Sequence, residues 1–427
     1  MRIHIRNGHV IDPINGINAK TDIFVADGRI VAVDATAAHF SADRVIDAAG
    51  LIVCPGLIDI SAHLREPGQE YKATIASETR AAAAAGITTV CCAPETTPVV
   101  DTPAVVELIH HRAAQAGHIR VVTLGALTDG LAGKQLSNMA ALKDAGCVGV
   151  SNGRNHIANA LVMRRAMEYA ATFDLTVFLH VEDEMLKGDG CMHEGPVSTR
   201  LGLPGIPEAA ETVAVARELA LIEQTGVRAH FCRISTARAA QMIARAQHDG
   251  LPVTADVAAH QLFLTEMDVA DFNSACHVQP PLRTQRDREG LLAALKKGTI
   301  GVITSDHQPH EADAKLNPFS QTEPGVAGLE TLLPLGLRLV EDEHLDLPAL
   351  VMRLSCQPAK ILGIEGGSLA IGARADICVF NPHAYWEVNP SQWHSQGRNT
   401  PFAGWELKGR ASYTVAAGKI VFEQPEL

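Results

Sequence analysis

At 427 residues the chain is too long for one ordinary compact domain and suits an α/β barrel with a small appendage. Its 47% hydrophobic and 4% aromatic content, with 35 glycines, is that of aliphatic strands and alanine-rich helices, which excludes disordered and collagen-like classes. A formal charge of −12 without a basic block argues against nucleic acid and anionic membrane as partners, leaving small molecules and other proteins.

The first 50 residues alternate as strands: Ile3 and Ile5, Val10-Ile11, then Ile23-Phe24-Val25 and Ile30-Val31-Ala32-Val33 around the turn Asp27-Gly28. An Asp-Gly pair between alternating runs signals a hairpin. The far end has the same character at 375–380 and 413–422. Either β region alone would leave exposed edges, so the two are expected to meet in one small β domain built from residues 1–50 and 366–427. Between them, residues 51–365 alternate eight apolar runs, at 51–60, 87–92, 120–124, 147–151, 175–181, 227–232, 252–258 and 299–304, with helical spacing over 71–85, 157–173, 207–224 and 236–247. Eight such units predict a closed parallel barrel. A helical pair, 329–340 and 347–362, leads back to the β domain.

Nine scattered cysteines without a Cys-x-x-Cys pair suit a reducing compartment. The N-terminus lacks a signal-peptide core and no apolar run reaches the ~18 residues of a membrane span, so the expected location is the cytoplasm.

In a barrel of this kind chemistry sits where the strands end, and the stretch Asp59-Ile60-Ser61-Ala62-His63-Leu64-Arg65 follows the first. Side chains alternate along a strand, so a His-x-His pair there would offer two imidazoles to one metal; here the first position is serine. The later strands run into Glu95, then Ser151-Asn152-Gly153-Arg154, then His180-Val181-Glu182-Asp183. The last three lead to His230 through Thr236, to Asp256 and His260, and to Ser305-Asp306-His307-Gln308-Pro309-His310. A metal-dependent hydrolase barrel takes neutral imidazoles from several strand ends and a carboxylate that also accepts a proton from water. His63, His180 and Asp306 are the groups of that kind that remain. Taken singly each would be an ordinary hydrogen-bonded residue; their recurrence at one end of different strands points to a shared pocket. Histidines 110, 111, 118, 248 and 344 fall on helices or helix ends, where solvation or capping explains them, and Cys191-x-His193 is a weak metal signal.

The chain resembles the long bacterial dihydroorotases of the amidohydrolase superfamily, over nearly its whole length. The resemblance rests on 59–68 with Glu70-Tyr71-Lys72, on 83–98, on Leu201-Gly202-Leu203-Pro204-Gly205-Ile206-Pro207, on Pro280-Pro281-Leu282-Arg283-Thr284, on 305–310, on Gly328-Leu329-Glu330-Thr331 and on 401–409. It implies a (β/α)8 TIM-type barrel with a small β-sandwich domain from both termini, and closure of carbamoyl aspartate to dihydroorotate at a metal centre. The departures fall on that centre. Ser61 stands for a ligand histidine, Asn152 for the carboxylate that bridges metals, and Arg233 for a third ligand histidine, while His63, His180 and Asp306 remain. On the substrate side Arg65 and His310 are kept, Glu95 replaces the asparagine of a Pro-Asn-Thr turn, and Gln279 replaces the asparagine before Pro-Pro-Leu-Arg. A guanidinium at a ligand position is a fixed positive charge, and Arg233 is expected to pair with Asp306 in the vacated space.

The resemblance therefore implies no cofactor and no catalytic residue, Asp306 being vestigial. Dihydroorotase-like chains without activity serve as non-catalytic subunits of aspartate carbamoyltransferase, which makes its catalytic chain the expected partner in a hetero-oligomer. The alternatives are a working cyclic amidohydrolase with one zinc on His63, His180 and Asp306, and a subunit that senses a ligand.

Overall fold

The computed structural model describes residues 1–33 and 40–424. Eight parallel strands form the barrel: β1 (Leu57–Ala62), β2 (Ile87–Cys92), β3 (Arg120–Ala126), β4 (Cys147–Ser151), β5 (Val177–His180), β6 (Ala229–Cys232), β7 (Val253–Ala258) and β8 (Val302–Thr304). They pair in chain order, and a parallel bridge from Ala62 to His307 returns the last to the first. That closure carries two backbone bonds, His63 N–H to the His307 carbonyl at 2.9 Å and His307 N–H to the Ser61 carbonyl at 3.2 Å. Isoleucines 58 and 60, Cys91, Val122, Leu124, Phe178, Cys232 and Val302 fill the interior, so the barrel is a packed core and its usable space lies at the strand ends.

The seam is held by buried charge. Asp59, wholly buried, accepts the Ser305 amide at 3.1 Å and the hydroxyls of Thr304 and Ser305, tying β1 to β8. Burial raises its carboxyl above the usual range, against the three bonds. Behind it Glu78 meets His307 Nε2 at 2.6 Å and accepts the Ser395 hydroxyl at 2.7 Å.

Two further sheets come from the ends of the chain. One has the order Arg29–Val33, Ile23–Ala26, Ile3–Arg6, Arg44–Asp47; the other runs Lys419–Glu423, Glu406–Ala416, Ile377–Glu387, Ile52–Pro55, His9–Asp12, Ile17–Lys20. Their facing apolar residues, among them Ile3, Ile5, Val10, Ile23, Val53, Ile377 and Val415, form a separate core. The hairpin at Asp27-Gly28 forms with both residues at positive φ, 51° and 77°, the geometry that matches the twist of its strands.

One expectation is corrected. The run 51–60, taken as a single barrel strand, is two: Ile52–Pro55 pairs with Ile377–Glu387 and His9–Asp12 in the terminal sheet, and β1 starts only at Leu57. Gly56 makes the break, donating to the Asp376 carbonyl at 2.8 Å, and a Cβ there would lie 2.2 Å from Thr88 Oγ1. The boundary placed at residue 51 therefore assigns 51–55 to the wrong sheet. Among the described residues no helix is long and apolar enough to cross a membrane.

Candidate functional site

The barrel mouth holds three residues in strained backbone. Arg65, Arg233 and Asp306, each just beyond a strand, adopt left-handed conformations with φ of 64°, 56° and 46°. Such conformations cost roughly 1–3 kcal/mol each in non-glycine residues and are held only where surrounding structure fixes them. The Asp256 carboxylate does so for Arg233, accepting its amide at 2.6 Å while it also meets His230 Nε2 at 2.9 Å.

At the centre stands Asp306, 1% exposed. Its Oδ1 accepts from Arg154 Nη2 at 2.7 Å, and Arg233 Nε lies 3.7 Å away. Gln308 reaches Oδ2 at 3.3 Å. Burial alone would raise this carboxyl, but the guanidiniums of Arg154 and Arg233 outweigh it and hold it below the usual carboxylate range. Arg233 spends its shortest side-chain bond on Ser61 Oγ, at 3.0 Å. The position expected to carry an imidazole and the position expected to carry another are thus bonded to each other.

The partner of Asp306 is corrected in one respect. Arg233 does face it, but the closer pair is with Arg154, whose Nη1 also donates to the Gln279 carbonyl and whose amide donates to Glu95 Oε1 at 2.7 Å. Sequence reasoning passed over Arg154. The available signal was its place two residues beyond Asn152, a cation beside a position where the resemblance leads one to expect an acid.

Asn152 is turned elsewhere. Its Oδ1 accepts from Thr128 Oγ1 at 2.7 Å and its Nδ2 donates to the carbonyls of Leu131 and Asn155 at 3.2 and 2.9 Å. A carboxylate could not make the last two bonds.

His63 lies with Nε2 3.6 Å from Glu95, and burial, then Arg65, Arg154 and Arg233, push its imidazole well below the usual value. His180 is buried with neither ring nitrogen hydrogen-bonded; Glu182 is 3.7 Å off. Burial lowers His180 to about 4, with Glu182 opposing. Burial would raise Glu182, yet His180, Lys187 at 3.4 Å and the amide of Gln279 bring it down to about 2. Arg65 contacts the Pro309 carbonyl at 3.0 Å and His310 Nε2 at 3.2 Å, and Lys72 approaches the other nitrogen of that ring at 3.3 Å. Burial and these two cations lower His310 to about 2. Glu182, Lys187 and Lys72 are further members of the site that sequence reasoning did not assign.

These residues do not fit a two-zinc centre. The carboxylate that would bind metal is shared between two guanidiniums, one of which cannot leave without stranding a buried charge, and the bridging position holds an amide used elsewhere. Among the described residues, the cluster that brings three candidate donor atoms within 4.8 Å of one another is His230, Cys232 and Asp256, not His63, His180 and Asp306. That trio is satisfied internally: His230 bonds Asp256 and, at 2.7 Å, Thr254 Oγ1.

Comparison with known proteins agrees with this fold. The dihydro-orotase-like family matches residues 50–239 and the amidohydrolase family residues 327–422. A dihydroorotase-like protein of Pseudomonas putida is 53% identical over 98% of this chain and 99% of its own length. A protein of that name from Pseudomonas aeruginosa is 52% identical over 99% of this chain and 100% of its own. A dihydroorotase of a Geobacter species is 45% identical over 99% and 100%. Among solved structures, L-hydantoinase of Arthrobacter aurescens superposes with a TM-score of 0.89 at 24% identity, over 100% of this chain and 97% of that one, a likeness of fold. With relatives this similar over their full length, the chain belongs to the dihydroorotase-like family of amidohydrolases.

Proposed function

We propose that this chain is a non-catalytic dihydroorotase homologue, a structural subunit needed for assembly or activity of aspartate carbamoyltransferase in pyrimidine synthesis in the cytoplasm. The observation that carries the loss of chemistry is Asp306 held between Arg154 and Arg233 with Ser61 bonded to Arg233. An enzyme of this family needs a Lewis acid to bring the pKa of bound water from bulk toward ~7, and two fixed cations at the carboxylate oppose a dication there. What supports the scaffold role is that the barrel closes and its seam is fully bonded around that altered centre. The family resemblance supplies the partner.

The test is co-expression with the carbamoyltransferase chain. The reading requires a complex that elutes together, a carbamoyltransferase that loses activity or stability without this chain, and no ring-opening of dihydroorotate. A monodisperse, fully active carbamoyltransferase purified alone and unaffected by this chain would remove the scaffold role. A second reading has one observation in its favour: the buried ring of His180 has neither nitrogen hydrogen-bonded, its contact with Glu182 being 3.7 Å, which leaves a donor for an ion. A mononuclear zinc amidohydrolase would purify with about one equivalent of zinc and lose both metal and turnover in His180→Ala.

A further inference from the structure

Basic side chains also gather at the foot of the barrel in this acidic chain. Helix Pro103–Ala116 ends at Gly117, in the left-handed conformation with φ 69°, and Arg120 begins β3, so this place lies at the opposite end of the barrel from Asp306. Between that turn and the terminal hairpin at Ala416–Lys419 lies an open cavity of about 270 Å³ lined by His110, His118, Arg120, Arg374 and Lys419. Arg120 donates to the Glu365 backbone carbonyl at 3.3 Å. Arg374 is paired with Asp376 at 2.8 Å, and Glu365 is paired with Arg29 at 2.7 Å. Arg80 lies close enough to His118 to depress its protonation, after burial.

Three permanent cations, Arg120, Arg374 and Lys419, thus line the cavity, against Asp376 beside Arg374 and a Glu365 that Arg29 already neutralises, in a protein of net charge −12. Arg120 and Arg374 repel each other across it. The helix end contributes only about half a negative charge, which the cationic excess outweighs. His110 and His118, half-buried, add imidazole nitrogens that need no charge to donate a hydrogen bond. A compact dianion or trianion relieves this repulsion, and guanidinium with ammonium is the donor set for phosphate oxygens.

We infer that the cavity between the helix Pro103–Ala116 and the Lys419 hairpin binds a phosphate-bearing anion. The inference is independent of the mouth and of the scaffold role, since none of its residues belongs to either argument. A small phosphorylated metabolite and free polyphosphate share this chemistry.

Isothermal titration of the full chain with tripolyphosphate tests it. Saturable binding is expected, weakened at least tenfold in Lys419→Gln and in Arg120→Gln, and unchanged in Arg65→Gln at the other end of the barrel. Lys419 is exposed at the first position of the strand after the turn, so its variant keeps the fold, and a melt verifies this for Arg120→Gln. A nucleoside triphosphate that competes more tightly than tripolyphosphate identifies a nucleotide as the natural anion; equal or weaker competition identifies the phosphate chain alone. Absence of saturable binding overturns the proposal, as does binding that survives both cavity substitutions or is lost in Arg65→Gln.

Discussion

Asp306 shows how a site can be rearranged residue by residue while staying electrically satisfied. Each carboxylate oxygen has a partner, and the two cations it faces come from different strand ends, Arg154 after β4 and Arg233 after β6. Breaking a buried ion pair by removing one partner costs about 3–5 kcal/mol, because the other charge is stranded. Arg154→Met is therefore expected to destabilise by that order in urea melts, and Asp306→Asn in the same chain to recover at least half of it. A melt in which the double variant is no more stable than Arg154→Met would mean that the pair is not the source of the loss. The same geometry says why returning the three ligand positions is not enough. Ser61→His, Asn152→Asp and Arg233→His together leave Arg154 on Asp306, and they turn the two bonds from Asn152 into a carboxylate facing carbonyl oxygens. That triple variant is expected to bind less than 0.2 equivalents of zinc by elemental analysis and to melt lower than the parent. Stoichiometric zinc would show that Arg154 yields to the ion. Ser61, Asn152 and Arg233 stood out in the sequence because the resemblance leads one to expect ligands at those positions. Arg154 was not, because a guanidinium reaching from one strand end to another leaves no spacing in the chain.

The elements tell the same story on a larger scale. Strand existence and order were readable from apolar runs bounded by turns, since each parallel strand is buried on both faces and reads as a continuous stretch. What could not be read was which sheet a run joins. Ile52–Pro55 and β1 are one apolar run in sequence and two strands in space, because hydrophobicity is the same in either core and only pairing decides. The divider is Gly56, wedged against Thr88 and bonded through its carbonyl to Ser355 Oγ at 2.7 Å. Gly56→Ala is expected to destabilise by about 1–3 kcal/mol through overpacking at this junction, and Thr88→Ser in the same chain to recover part of that loss. Urea melts of the two variants check it; an unchanged midpoint for Gly56→Ala would mean that the junction has room to shift.

For the molecule as a whole, burying imidazoles uncharged makes stability depend on pH. Burial is the leading cause that holds His180, His193, His260 and His277 near 4, His310 near 2 and His63 well below its usual value. The unfolded chain takes up protons at these groups near pH 6.5 and the folded chain does not, so the unfolded state binds more protons as the pH falls from about 6.5 toward 4. Stability is present above that window and is lost on descending through it. Carboxyls that burial raises, such as Asp59, Glu211 and Glu218, bind protons first in the folded state and offset part of the loss. Depressed carboxyls such as Glu182 act only below about pH 4.5, outside the range that matters here. Six imidazoles against these carboxyls should leave a net uptake on unfolding of at least about two protons near pH 5.5. The melting temperature is therefore expected to fall continuously from pH 7 to 5, and His260→Gln to flatten the slope by up to one proton. A melting temperature independent of pH over that interval would mean that these rings are hydrated and charged in the folded protein, and with them the mouth around Asp306 open to solvent.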